Sequence, residues 1–510
     1  MIDEVPETQT GRGRLWLRRG VLIELIGAVA LLFASRYVET GWTRALWAPL
    51  PLSLVGASAS LPAVLVAVGL AAMVLGYAMS LRAIGRLEPD EQPGLQSSML
   101  LVLLLALPLL LLNTIPSDAP YRYAFAGRIE AVDHANPYVD PPDRFGADPF
   151  FSFLSGDRSP SVDGPAWQFL SSMLVTAAGP DASPVFFVLI YKFLGLLALL
   201  SGMALIWAIL ARLVPDDCAR GAWFYAANPL SLLALAGSGQ NDGLLVVLIL
   251  LAVLVQLRGR TALAFFVFGL AALVKWVALL LLPAYLVWGY GGRGLRWRVT
   301  REFLAGAILI FAAAAGLYGR HLAAGGTLAD FTSGAFPARL SHSLASWTVL
   351  RLAHGATGVA PEPSTAGFVL VPNSPERRVA WGFGLLFAAW AIVLMRRVYD
   401  LRELLPAWGW TLFAYVCLAS AWFEPWYVLW VVALAALAPR TLLARSTLFL
   451  SVTALLMIPG PIWVARFGHE PVDLPLYVLL PPLAYAALGY VRRRRMAVPA
   501  APFVPAPLRK

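Results

Sequence analysis

After the apolar run 98–112, the chain reads Asp118-Ala119-Pro120-Tyr121-Arg122-Tyr123-Ala124-Phe125-Ala126-Gly127-Arg128. A carboxylate, two tyrosines and two arginines gather where a membrane segment leaves the bilayer. A carboxylate placed there can take a proton from a hydroxyl, and guanidinium groups can hold an anion such as a phosphate. A charge costs about 2.5–3.5 kcal/mol at the centre of a membrane helix, so polar residues near hydrocarbon usually serve a function. An interfacial belt accounts for Tyr and Arg at the headgroups. It leaves the acid unexplained, and with it Asn136-Pro137-Tyr138 further along, so Tyr121, Arg122, Tyr123, Arg128, Asn136 and Tyr138 are candidate substrate contacts.

Other polar clusters interrupt the apolar sequence. Gly237-Ser238-Gly239-Gln240-Asn241-Asp242 lies between two apolar segments; Asn241 or Asp242 would cap the next helix, and the same side chains suit sugar hydroxyls. Trp422-Phe423-Glu424-Pro425-Trp426-Tyr427 places an acid among aromatics, where Glu424, Trp426 and Tyr427 are candidate substrate contacts. Lys275 stands out because the chain has only three lysines, Lys192, Lys275 and Lys510. A lysine between Val274 and Trp276 can hold a phosphate as a point charge, or snorkel to the headgroups. Lys192, inside an apolar segment, reads as snorkelling to the headgroups or as a structural pairing. Arg320-His321 is a further candidate phosphate contact. The five histidines show no metal-ligand spacing, and no Gly-rich phosphate loop, nucleophile elbow or nucleotide signature is present.

Composition fixes what carries these residues. Of 510 residues, 59% are hydrophobic and 13% charged, with mean hydropathy +0.72. Soluble domains carry about 25% charged residues, so the expected fold is an all-α polytopic membrane protein of about 12–14 spans. The net charge of +10 is spread over many short loops, which reads as topology and excludes nucleic-acid binding. Cys218 and Cys417 lie far apart and imply no disulfide framework.

Apolar segments fall at about 20–36, 61–81, 98–114, 185–210, 221–236, 243–257, 303–319, 379–395, 405–421, 425–438, 446–464 and 473–490. The stretch 261–290 is too long for one span at ~1.5 Å per residue. Arg258 and Arg260 precede it, and Arg293, Arg296, Arg298 and Arg301 follow it. If both basic clusters are cytoplasmic, the stretch is a hairpin of two short arms with Lys275 at its tip. Such an arrangement is tolerated only where backbone is buried or faces a cavity. Most of the 39 Lys and Arg then face the cytoplasm. The layout is a cytoplasmic tail over 1–19, a transmembrane domain over 20–491 and a cytoplasmic tail over 492–510, expected to be disordered from 496 onwards. Long external loops cover about 115–184 and 320–378, and the first holds an amphipathic surface helix over 121–133. The polar clusters fall on one external face, which implies a cavity open to the outside.

In order, Tyr121-Arg122-Tyr123, Gly127-Arg128, Asn136-Pro137-Tyr138, Val162-Asp163-Gly164-Pro165-Ala166-Trp167, Gly239-Gln240-Asn241-Asp242-Gly243, Val274-Lys275 and Glu424-Pro425-Trp426-Tyr427 resemble the bacterial polyprenol-phosphate-mannose-dependent α-(1→6)-mannosyltransferases, within the multi-spanning GT-C glycosyltransferases. The likeness covers roughly residues 95–440. It implies a lipid-linked sugar donor, a glycan or glycolipid acceptor outside the cytoplasm, and an acid in the first large external loop as catalyst, which maps to Asp118. In the family pattern the acid stands two positions before the first Tyr, whereas here it stands three before. Asp133, Asp163 and Asp242 therefore stay open as substitutes.

A sugar on a polyprenyl phosphate already has a good leaving group, so one carboxylate base suffices for an inverting transfer. The expected roles are Asp118 as base, Lys275 with Arg122 or Arg320 on the phosphate, and Gln240, Asn241, Glu424 and Tyr427 on the sugars. A divalent metal is compatible with this chemistry but not required, and no other cofactor is implied beyond the lipid-linked donor. Membrane lipids are the remaining partner. The rival reading is a flippase for the same lipid-linked sugar; transporters tend to show internal repeats and midplane charges, and no repeat is visible here.

Overall fold

A computed structural model describes residues 9–38, 60–112, 117–154, 159–290, 297–323, 326–327, 339–357, 368–369, 374–396, 398, 400–459 and 473–496. Arg293, Arg296, most of the second external loop, residues 460–464 of the eleventh apolar segment and the tail from 497 onwards lie outside the described residues.

The chain is an all-α polytopic membrane protein. Its helices are α1 (Gln9–Val38), α2 (Ser60–Ile84), α3 (Leu95–Leu110), α4 (Ala119–Ala131), α5 (Pro165–Ala178), α6 (Pro184–Leu213), α7 (Cys218–Ala226), α8 (Pro229–Leu232), α9 (Asp242–Leu257), α10 (Thr261–Val274), α11 (Leu282–Tyr290), α12 (Trp297–Ala323), α13 (Leu344–Thr357), α14 (Pro375–Met395), α15 (Leu401–Ala414), α16 (Val428–Ala435), α17 (Leu442–Ala454) and α18 (Leu474–Met496). Two residue pairs, Arg339–Leu340 and Phe368–Val369, form a short antiparallel ladder. Among the described residues, five helices are long and apolar enough to cross a bilayer unaided. The shorter apolar helices, α3, α10, the Trp276–Tyr290 arm and the 425–435 and 442–457 segments, are admissible where neighbouring protein covers their ends.

The first helix of the long loop over 115–184 runs from Ala119 to Ala131, with Asp118 at the N-cap position and Pro120 in the first turn. That start is two residues earlier than the amphipathic pattern predicts, because proline's missing N–H is harmless only in a first turn. A second helix of that loop, α5, was not placed from the sequence. It starts at Gly164-Pro165, the same proline-led signal.

The stretch 261–290 is a hairpin. Tyr285 Oη donates to Gln256 Oε1 at the end of α9 (2.8 Å), and its ring lies 5.9 and 5.5 Å from those of Phe265 and Phe268. The α11 arm therefore returns beside α10. Lys275 sits at the tip in extended backbone, φ −154° and ψ 125°. The segment before α9 is also broken. Pro229–Gly237 and Asp242–Leu257 meet at 115°, and the turn between them passes through Gly239 at φ +60°. A Cβ there would lie 2.8 Å from the Tyr191 carbonyl carbon and 2.9 Å from the Lys192 nitrogen, so close approach and positive φ both demand glycine.

Lys192 is buried on α6. Its Nζ donates to the carbonyls of Leu109 (3.4 Å), Leu110 (3.3 Å) and Leu112. These belong to the C-terminal end of α3, where carbonyls lack helical partners and the helix dipole is negative. The lysine thus closes the helix that leads towards Asp118, a structural pairing of the kind expected.

Candidate active site

The hairpin tip, the α8–α9 turn and the loop before α5 meet around Lys275. Its Nζ lies 2.8 and 3.0 Å from the two oxygens of Asp242 and 3.4 Å from Asn241 Oδ1. Asp242 is fully buried and also accepts from Trp430 Nε1 at 2.5 Å. The ammonium stands 5.2 Å from the Tyr427 ring centre and 5.5 Å from that of Trp430, and the two rings stack at 4.5 Å. Two aromatic faces and a carboxylate therefore hold one cation in place. The long contact to Asn241 is the weak one of its three donors, and it is the one an incoming anion would replace.

Asn241 Nδ2 donates to Asp163 Oδ1 at 2.6 Å, and the Asn241 backbone N–H donates to Tyr123 Oη at 3.3 Å. Tyr123 Oη donates to Gln240 Oε1 at 3.2 Å. The side chains expected to cap α9 thus reach across to other elements; Asn241 makes no side-chain cap, and Asp242 serves as the counter-ion of Lys275. The sequence Gly164-Pro165 explains how Asp163 arrives there. The Gly164 N–H donates to Val274 O at 3.0 Å, and a Cβ on Gly164 would lie 2.2 Å from Leu273 O. Only glycine lets this loop rest on the hairpin tip.

Asp163 lines a small cleft with Arg122, Phe125, Pro137 and Ser161. Burial raises its carboxyl above the ordinary carboxylate range, against the opposing pull of Lys275, Arg122 and Asn241. Asp118 is buried at the head of α4, and its carbonyl accepts from the Arg122 N–H at 3.1 Å. The two residues therefore stand one helical turn apart, at positions i and i+4 of one face. Asp133, beyond the other end of α4, is about 20 Å along the helix from Asp118.

All five polar clusters expected on one face come together here. The fifth joins through Tyr138, whose Oη donates to Asp163 O at 2.8 Å. Several expected contacts instead have structural partners. Arg128 is buried, with Nε 2.8 Å from Asp148 and a hydrogen bond to Pro180 O. Arg320 pairs with Glu130 at 3.1 Å. Asn136 Nδ2 donates to the His321 carbonyl at 3.4 Å, and Asn136 Oδ1 accepts from the Tyr138 N–H. The His321 ring packs edge-on to Tyr138 at 4.7 Å. Tyr121 stacks on Phe153 at 5.0 Å. Glu424 accepts from Trp422 Nε1 at 2.5 Å, while Trp426 meets only the edge of Tyr427 among the ring contacts described.

Trp430 is the contributor that sequence reasoning missed. It lies in a continuous apolar run, and only its spacing one turn after Tyr427 hinted at a shared face. Among the described residues, no group of three or more His, Cys, Asp or Glu is placed to hold a metal ion.

The family described as alpha-(1→6)-mannopyranosyltransferase, N-terminal domain, has a model that matches residues 21–291. That span holds α4, the Asp163 loop, the α8–α9 turn and Lys275. No curated protein matches the chain.

Proposed function

Because this chain belongs to the alpha-(1→6)-mannopyranosyltransferase family, we propose that it moves a mannosyl group from a polyprenyl-phosphate donor to a glycan or glycolipid acceptor at the outer face of the plasma membrane. The observation that carries this reading is the meeting of Arg122, Asp163, Asn241, Asp242 and Lys275 in one cluster, with Asp118 one helical turn from Arg122.

In the proposed reaction the acceptor hydroxyl oxygen attacks the anomeric carbon from the face opposite the phosphate. The bond between that carbon and the phosphate oxygen breaks, and polyprenyl phosphate leaves with the electron pair. Asp118 takes the hydroxyl proton as the new bond forms. Lys275 and Arg122 stabilise the charge growing on the phosphate. Since the leaving group departs as an anion, no general acid is needed. The configuration inverts. Gln240, Asn241 and Tyr427 orient the sugars, and Asp163 holds Asn241 in register.

Two results test this reading. Purified protein incubated with labelled polyprenyl-phosphate mannose and mannan oligosaccharides should release polyprenyl phosphate only when acceptor is present. Movement of intact donor across a vesicle, with no release, would make the protein a transporter. Gly164→Ala should lower turnover roughly 100-fold, the scale of a ~1 Å misplacement, because Leu273 O and Val274 O are backbone atoms that cannot yield. Assay of the folded variant checks this; unchanged turnover would detach the Asp163 loop from the site.

A further inference from the structure

At the end of α16 away from Tyr427, the chain turns through 436–441 into α17, and arginines gather there. The turn rests on the start of α7, because a Cβ on Gly221 would lie 2.4 Å from the backbone oxygen of Ala436. Arg440, in the turn, places Nε 2.7 Å from Asp217 Oδ1, just before α7. Arg220, in the first turn of α7, reaches over the end of α2, where a Cβ on Gly85 would meet its Nη1 at 3.0 Å. Three elements far apart in sequence thus meet on the face that the arginine pattern assigns to the cytoplasm, away from Lys275.

Charge does not balance at this junction. The half-buried Arg220 guanidinium interacts with those of Arg440 and Arg445 and with one carboxylate, Asp217, which Arg440 already holds. Among the described residues, neither Arg220 nor Arg445 makes a side-chain hydrogen bond or a close ion pair. Holding like charges together is costly unless an anion joins them, and guanidinium forks match phosphate oxygens. The surroundings are amphipathic. A Cβ on Gly489 of α18 would lie 2.5 Å from Leu442 Cδ1, so the end of α18 runs beside the start of α17. There Leu488 and Val491 are 60% and 45% exposed, and Arg445 stands one turn beyond Leu442. A free phosphate has no use for that apolar flank, whereas a phospholipid lays its acyl chains along it.

We propose that Arg220, Arg440 and Arg445 bind the phosphate of an anionic phospholipid in the leaflet opposite the Lys275 cluster, with its acyl chains along Leu488 and Val491. Basic pockets between helices at a membrane surface take such headgroups. The bound lipid ties α7 to α17. It plays no part in sugar transfer, and the site does not depend on the donor reading given above.

Full-length protein in detergent can be titrated with phosphatidylglycerol, phosphatidylcholine and inorganic phosphate, with bound lipid read by native mass spectrometry. Wild type should retain phosphatidylglycerol over phosphatidylcholine, and equimolar inorganic phosphate should not displace it. Arg220→Gln with Arg445→Gln removes two guanidiniums and leaves the Arg440–Asp217 pair intact. Its Kd for phosphatidylglycerol should rise about 30-fold, since each arginine near an anionic surface is worth roughly a factor of five. Arg14→Gln with Arg18→Gln, an exposed pair on α1 at the same face, should change that Kd less than about twofold. Equal losses in the two pairs would reveal only a diffuse positive field and overturn the site, as would equal retention of the two lipids. Displacement by inorganic phosphate would make the ligand a free anion and overturn the lipid assignment. If the first pair fails to fold, Arg445→Gln alone, at an exposed position, should weaken binding about fivefold; unchanged binding would overturn the proposal.

Discussion

Asp118→Asn is expected to lower kcat by roughly 100- to 10,000-fold, the usual worth of a positioned general base, while donor binding stays close to wild type. The amide keeps the size and shape of the side chain but cannot accept the acceptor's proton. Asp163→Asn serves as the internal comparison. Asp163 accepts a hydrogen bond from Asn241, and an amide oxygen can still accept it, so this variant should lose far less. Single-turnover rates and equilibrium binding of labelled donor separate the outcomes. Near-normal turnover in Asp118→Asn together with an inactive Asp163→Asn would transfer the role of base to Asp163.

Lys275→Met is the second large effect, and it acts first on stability. Asp242 is fully buried and the lysine side chain is 17% exposed. Removing one partner of such a pair leaves a charge without compensation, at a cost of about 3–5 kcal/mol. The hydrogen bond from Trp430 to Asp242 remains but does not replace a cation. The double variant Lys275→Met with Asp242→Asn removes both charges and should recover most of the lost stability, read as the thermal unfolding midpoint in detergent. Transfer should not recover with it, because the cation beside the leaving phosphate is still missing. Recovery of both would reduce Lys275 to a structural partner of Asp242. A stable, active Lys275→Met alone would remove it from both roles.

The transmembrane plan was legible because hydropathy and charge are summed over many residues. Most apolar segments read from composition coincide with helices where the structure describes them; segment 221–236 is the exception, broken at Ala227-Asn228 between α7 and α8, where Pro229 restarts the helix. The hairpin over 261–290 followed from arginines on both flanks and a length no single span could use. The α5 helix was hidden because its short apolar pattern lies in a stretch rich in Pro and Gly, although Gly164-Pro165 marked its start. Within the site, the sequence showed which residue types gather but not how they pair. Lys275 and Asp242 are 33 positions apart, and nothing in their spacing says that one neutralises the other. Likewise Arg128 was read as a substrate contact, yet Asp148 in the following loop takes it. Capping of α9 was the local expectation for Asn241, and a contact 78 residues away, to Asp163, replaced it. Local rules rank the options for a side chain; long-range packing chooses among them.

The one-carboxylate mechanism is tested most directly by the pH dependence of kcat/KM for transfer from polyprenyl-phosphate mannose, measured for wild type and Asp118→Asn. One base and no acid should give a single limb on the acid side, with rate rising as the base ionises, and that limb should vanish from the residual activity of Asp118→Asn. A bell-shaped wild-type profile that signals a second essential group acting as acid, or an acid limb that survives in Asp118→Asn, would contradict the account.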